Sequence, residues 1–112
     1  VGTAYGELFN RPAVIVGVDN EISNIRSFAL EQNFPNPFNP NTTIKYNIPK
    51  ATNVKLEIYD VLGRIVTTLV NTYQQAGEYT INFNANNLTS GVYLYKISTQ
   101  YNNAVKKMLL IK

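Results

Sequence analysis

The residues that could do chemistry are few. The chain carries seven carboxylates, Glu7, Asp19, Glu21, Glu31, Glu57, Asp60 and Glu78, and no Cys, His or Trp. Without Cys and His, the usual structural zinc, haem and thiol or imidazole catalytic sites are excluded, and so are disulfides. Asp19 and Glu21 are the one close carboxylate pair. Glycosidase-type chemistry needs two carboxylates facing across a cleft, and a polar connector does not hold them so. The pair, with Asn20 and Asn24, could ligate calcium through oxygen, but the spacing is not that of an EF-hand. No catalytic residue, metal or cofactor is expected. The eight Tyr and five Phe could form a carbohydrate platform, with Tyr59, Tyr73 and Tyr101 the surface candidates. Tyr46, Tyr79, Tyr93, Tyr95 and Phe83 instead recur at period two, as residues filling a core do. Asn41-Thr42-Thr43 and Asn87-Leu88-Thr89 are sequons, which makes Asn41 and Asn87 candidate glycan sites in an exported chain.

These residues need elements to position them, and the composition indicates strands. Of 112 residues, 45% are hydrophobic and 15% charged, and the net charge is +3. That size fits one β-sandwich domain. The Lys and Arg are spread along the chain apart from Lys106-Lys107, which gives no nucleic-acid-binding face. No apolar stretch approaches the roughly 20 residues that span a bilayer. The chain starts at Val1 rather than Met, which leaves room for a leader already removed. Asn, at sixteen residues, punctuates the apolar runs and marks turns.

Alternation predicts six strands: Ile44 to Ile48, Val54 to Tyr59, Ile65 to Val70, Tyr79 to Phe83, Val92 to Thr99 and Ala104 to Ile111. Asp60 to Arg64 reads as a tight turn with Gly63 at positive φ. Leu88, inside a loop, is expected to plug the core. Three prolines between Phe34 and Pro40 bar helix and central strand, so residues 28–43 read as an extended, semi-stiff linker with Phe34 and Phe38 docked on the domain. Residues 1–27 form an N-terminal extension. Within it Pro12 to Val18 is apolar and β-branched, a strand candidate carried by Ala13, Val14, Ile15, Val16 and Val18.

Four blocks then carry a resemblance. Leu30-Glu31-Gln32-Asn33-Phe34-Pro35-Asn36-Pro37-Phe38-Asn39-Pro40-Asn41-Thr42-Thr43-Ile44 is similar to the opening motif of type IX secretion system C-terminal sorting domains. Ile58 to Arg64, Leu88 to Ile97 and Lys106 to Lys112 match that family in order. The fold also resembles the Ig-like domain of flagellar-hook capping proteins. The resemblance implies an all-β, Ig-like antiparallel sandwich of about seven strands. It also implies export to the surface of a Gram-negative, Bacteroidota-like bacterium, with outer-membrane secretion machinery as reader. By position it assigns Pro35, Asn36, Pro37, Phe38, Asn39, Pro40, Asp60, Gly63, Gly91, Tyr93, Lys106 and Lys107 to structure or recognition, and none to catalysis.

Such domains trail a larger cargo, whereas only 27 residues precede this one. An Ig-like sandwich takes about seven strands, and six are counted from residue 44 onward. The 12–18 segment is therefore expected to supply the missing strand, either folded back on its own domain or inserted into a neighbouring copy. Head-to-tail donation does not close on itself and grows filaments. The expected function is a non-enzymatic subunit of an extracellular fibre or surface assembly. The alternative is a sorting and anchoring domain for a larger cargo.

Overall fold

A computed structural model describes residues 27–112. Seven strands follow in order: β1 Ala29–Leu30, β2 Asn41–Ile48, β3 Thr52–Tyr59, β4 Ile65–Gln74, β5 Gly77–Asn84, β6 Gly91–Thr99 and β7 Asn103–Leu110. They form two antiparallel sheets, ordered β1-β2-β5 and β4-β3-β6-β7. The alternating apolar residues of both sheets meet between them, as in any sandwich. Ile44, Tyr46, Ile48 and Phe83 come from the first sheet, and Leu56, Ile58, Tyr95, Ile97, Met108 and Leu110 from the second. The period-two aromatics are core residues. Tyr46, Tyr93, Tyr95 and Phe83 are buried, and Tyr79 stacks on Tyr46 with ring centroids 5.4 Å apart. Leu88 packs against this core from its loop.

The pairing register gives the sandwich two ends. At the entry end lie Ser27, the Pro49–Ala51 turn, Gln75-Ala76 and the Gln100–Asn102 turn, because Ala29 pairs with Asn47, Ile48 with Gly77 and Val54 with Thr99. At the distal end lie Pro40, the Asp60–Arg64 turn, the 85–90 loop and Ile111-Lys112, because Asn41 pairs with Asn84, Tyr59 with Ile65 and Gly91 with Leu110.

Three expectations differ from the structure. The segment read as an extended linker doubles back onto the domain. Ala29 and Leu30 pair with Asn47 and Tyr46, Phe34 pairs with Thr43, and β2 starts at Asn41. Proline blocks a ladder donor only at its own position, so the residues between the prolines remain free to pair. The seventh strand is thus β1, from within 28–43. Second, β4 continues past Val70 to Gln74. Asn71, Thr72 and Tyr73 oppose Lys55, Val54 and Asn53, and a polar run on an edge strand hides the alternation that sequence reading uses. Third, Phe38 is buried but Phe34 is 78% exposed; Phe34 is held by its backbone. The strand candidate at Ala13, Val14, Ile15, Val16 and Val18, and the Asp19–Glu21 pair, lie outside the described residues.

Candidate functional site

The proline-rich segment is a clasp between the sheets. On its first-sheet side, Glu31 N–H donates to the Lys45 carbonyl at 3.0 Å, and Phe34 and Thr43 exchange backbone bonds of 3.0 and 2.9 Å. On its second-sheet side, Phe38 N–H donates to the Leu109 carbonyl and Ile111 N–H to the Phe38 carbonyl, both at 3.0 Å. Asn36 Oδ1 accepts from the Leu109 amide at 3.0 Å, and Gln32 Nε2 donates to the Lys107 carbonyl at 2.6 Å. The outer edge of β7 is thereby capped over residues 107–111. Phe38 drops its ring into the core, 6.2 Å from that of Phe83.

A buried polar knot fixes where the clasp starts. Asn33 N–H donates to Tyr95 Oη at 2.8 Å, and that hydroxyl donates to the Glu31 carbonyl at 2.7 Å. Asn33 Nδ2 donates to Thr42 Oγ1 and to the Pro35 carbonyl, which also accepts the Thr42 hydroxyl at 2.9 Å. Asn33, Thr42 and Tyr95 are all buried, and each finds partners here. Such networks stabilise only when satisfied. Burial pushes the Tyr95 phenol up to about 12, against the Asn33 amide bond that lowers it. At the other end of the clasp, the Pro40 carbonyl accepts from the Ala85 amide at 2.8 Å, and Pro37 and Asn39 span the exposed bends between.

The remaining motif blocks converge on the distal end. Asp60 Oδ1 accepts from the Leu62 and Arg64 amides at 2.9 and 3.0 Å, and Oδ2 pairs with Arg64 Nε at 2.8 Å. The Arg64 amide, aided by the Arg64 side chain and the Leu62 amide, holds the Asp60 carboxyl below the usual carboxylate range. Gly63 has φ +84°, a left-handed conformation that glycine adopts without strain. Tyr93 donates to the Thr89 carbonyl at 2.7 Å and sets the loop leading into Gly91. Lys112 ties the third and fourth blocks together. Its amide donates to Ser90 Oγ at 2.9 Å and its Nζ to the carbonyls of Asn86 and Leu88 at 2.5 and 2.8 Å. Between the turn and the loop lies a depression of about 420 Å³ lined by Asp60, Leu62, Arg64, Ser90, Gly91 and Tyr93, among others. Val61, Leu62 and Ile111 stand exposed at this end.

The other predicted positions separate. Lys106 and Lys107 lie on β7, the first half-buried and the second exposed. Tyr59 is half-buried and donates to Glu57 Oε1 at 2.7 Å; this hydrogen bond raises its pKa. Tyr73 and Tyr101 are exposed, Tyr101 beneath the Lys50 ammonium at 4.2 Å. Tyr73 pairs with Asn53 near the start of β3, while Tyr59 ends that strand. About 20 Å of strand separates them, so the three do not form one aromatic platform. Asn41 and Asn87 are both exposed. Among the described residues, no group of three or more acidic, His or Cys side chains could hold a metal ion. No helix among them is long and apolar enough to cross a membrane.

Sequence reading did not single out the Asn33–Thr42–Tyr95 knot or the Lys112 ties. A buried Asn looks like a turn Asn, and a hydroxyl on a strand looks like any strand Thr.

A family model described as "Secretion system C-terminal sorting domain" matches residues 32–112. Among solved structures, the chain resembles one reported for PorZ, an essential bacterial surface component of the type-IX secretion system of Porphyromonas gingivalis. The TM-score is 0.52 at 17% identity, over 77% of this chain and 12% of that one. At that identity the likeness speaks for the fold. The chain spans about an eighth of that structure's length. None of the curated proteins compared matches the chain.

Proposed function

The chain belongs to the secretion-system C-terminal sorting domain family, and on that premise we propose that its distal end is the address read by a type IX outer-membrane machine. Membership implies a secreted or cell-surface protein of a Bacteroidetes-type bacterium. One observation carries the reading. Asp60, Gly91 and Tyr93, from two separated blocks, line one depression, and Lys112 of a third bonds Ser90 on its wall, while Ser27 enters at the opposite end. The described chain thus begins at the end away from the proposed address. The clasp, Pro35 to Pro40, serves this by pinning the final strand, whose last residue Leu110 pairs with Gly91. Lys106 and Lys107 add a charged surface on β7 beside it. Glycans at Asn41 and Asn87 would sit at the distal end and bear on recognition there.

The test is a reporter protein fused ahead of residues 27–112 and expressed in a type IX-secreting bacterium. The reporter is expected outside the cell or on its surface, and inside in a strain lacking the machine. Equal retention in both strains would refute the reading.

A second reading has its own support. Among the described residues the flank between β4 and β5 is open, with a cleft of about 330 Å³ lined by Val66, Leu69, Phe83 and Leu88, among others. An open, partly apolar flank favours a structural subunit that takes up a strand from a neighbour, with residues 12–18 as the donor. Electron microscopy of the full chain, beside one starting at Leu30, tests it. Fibres from the first alone are expected, and monodisperse particles from both would refute it.

A further inference from the structure

The strand edges are not protected alike. β7 carries Lys106 and Lys107 and lies under the clasp. Among the described residues, beyond β2 lies only two-residue β1, continued by clasp pairing at Glu31 and Phe34. β5 carries Glu78. β4 is different: ten residues, Ile-Val-Thr-Thr-Leu-Val-Asn-Thr-Tyr-Gln, without a charge, a proline or a glycine. It is the last strand of its sheet, so among the described residues its outer amides and carbonyls have no ladder partner. Natural proteins usually blunt such an edge with charge, proline or shortness.

Two bulges shape it further. Leu56 opposes Val70 and Glu57 opposes Thr68, which leaves Leu69 over; Ile58 opposes Thr67 and Tyr59 opposes Ile65, which leaves Val66 over. Bulges re-aim side chains, and both of these line the cleft with Phe83 and Leu88. The edge therefore offers a backbone ladder beside a partly apolar slot.

We infer that β4 is a strand acceptor whose occupant is the Pro12–Val18 segment of a second copy of this chain. This rests on the fibre reading and names its acceptor. Pro-Ala-Val-Ile-Val-Gly-Val is uncharged, as β4 is, so neither side brings a charge that would need desolvation. At period two it sets Val14, Val16 and Val18 on one face to cover the slot, and Ala13, Ile15 and Gly17 on the other. The chain enters at the β1 flank, across the sandwich from β4, and eight residues separate Val18 from Ser27. A subunit that gives from one flank and receives on the other forms a heterologous, open chain.

The absence of Cys makes the test clean. Full chains carrying Ile15→Cys are mixed with size-tagged chains carrying Thr68→Cys or Asn71→Cys, on the outer face of β4. Val105→Cys on β7 serves as the comparison. After mild oxidation, non-reducing electrophoresis reads mixed disulfide dimers. Linking to β4 is expected to exceed linking to β7 at least tenfold. No link, or equal linking to both strands, overturns the proposal. Fibres seen by microscopy without a β4 link overturn the acceptor while the fibre reading stands; neither fibres nor a link removes both. A link formed only within a single chain bearing both Ile15→Cys and Thr68→Cys overturns the second-copy occupant.

Discussion

Asn33 is where one residue does most. It ties the clasp to Thr42, to the Pro35 carbonyl and, through its backbone, to buried Tyr95. Asn33→Ala strands the Thr42 hydroxyl and Pro35 carbonyl short of one partner. The expected loss is about 1–3 kcal/mol, the cost of breaking a buried hydrogen-bonded group, read as a lower urea midpoint with an unchanged slope. Tyr95 adds a pH dependence. Its phenol is pushed up to about 12 from an ordinary value of 10.0, so between those values the folded chain holds a proton that the unfolded chain has lost. Stability contributed by this group is full below pH 10 and disappears as pH rises through 12. Tyr95→Phe should flatten that alkaline loss in melts at successive pH values; an unchanged slope would mean another group carries it. Asp60 works in the opposite direction. Its carboxyl is held low by the Arg64 amide first, so its contribution is present above the normal carboxylate range and is lost as pH falls through the folded value. Asp60→Asn should remove that part of the acid sensitivity, visible as smaller acid-induced shifts of the Leu62 and Arg64 amides by NMR.

Among the elements, the clasp and the final strand depend on each other. Phe38→Ala empties a core position between the sheets, and a buried Phe truncation costs about 3–5 kcal/mol. A finer test leaves the core intact. Asn36 Oδ1 is the partner of the Leu109 amide, so Asn36→Ala should speed hydrogen exchange at Leu109 while Leu56, in the middle of β3, keeps its protection. Equal acceleration at both would show global rather than local opening. The sheets were readable from the sequence because Ile44-Tyr46-Ile48 and Val54-Leu56-Ile58 alternate cleanly and face one core. The docking of Phe38 was readable, but the pairing of the clasp was not. Its prolines argue against strand locally, and its pairing with Thr43 and Leu110 is decided by residues distant in sequence. β4 was cut short because an edge strand can afford Asn71, Thr72 and Tyr73 in the open. The motif blocks could be recognised, but their meeting at one end could not, since that follows from register: Gly91 opposite Leu110, and Asn41 opposite Asn84.

For the whole molecule, the two ends differ. Residues before Ser27 join at the entry end, and the proposed address stands at the distal end, where Val61 and Leu62 line the depression and Ile111 is exposed at the same end. These side chains carry little of the core, so altering them changes the surface without emptying the interior. The most direct test of the account compares export of one reporter fused to three domains: unaltered, carrying Leu62→Asp at the distal end, or carrying Tyr101→Asp at the entry end. Thermal melts of the purified domains confirm equal folding. The account predicts that Leu62→Asp reduces export at least tenfold while Tyr101→Asp exports like the unaltered domain. Equal export from both variants, or loss only with Tyr101→Asp, would contradict the placement of the address at the distal end.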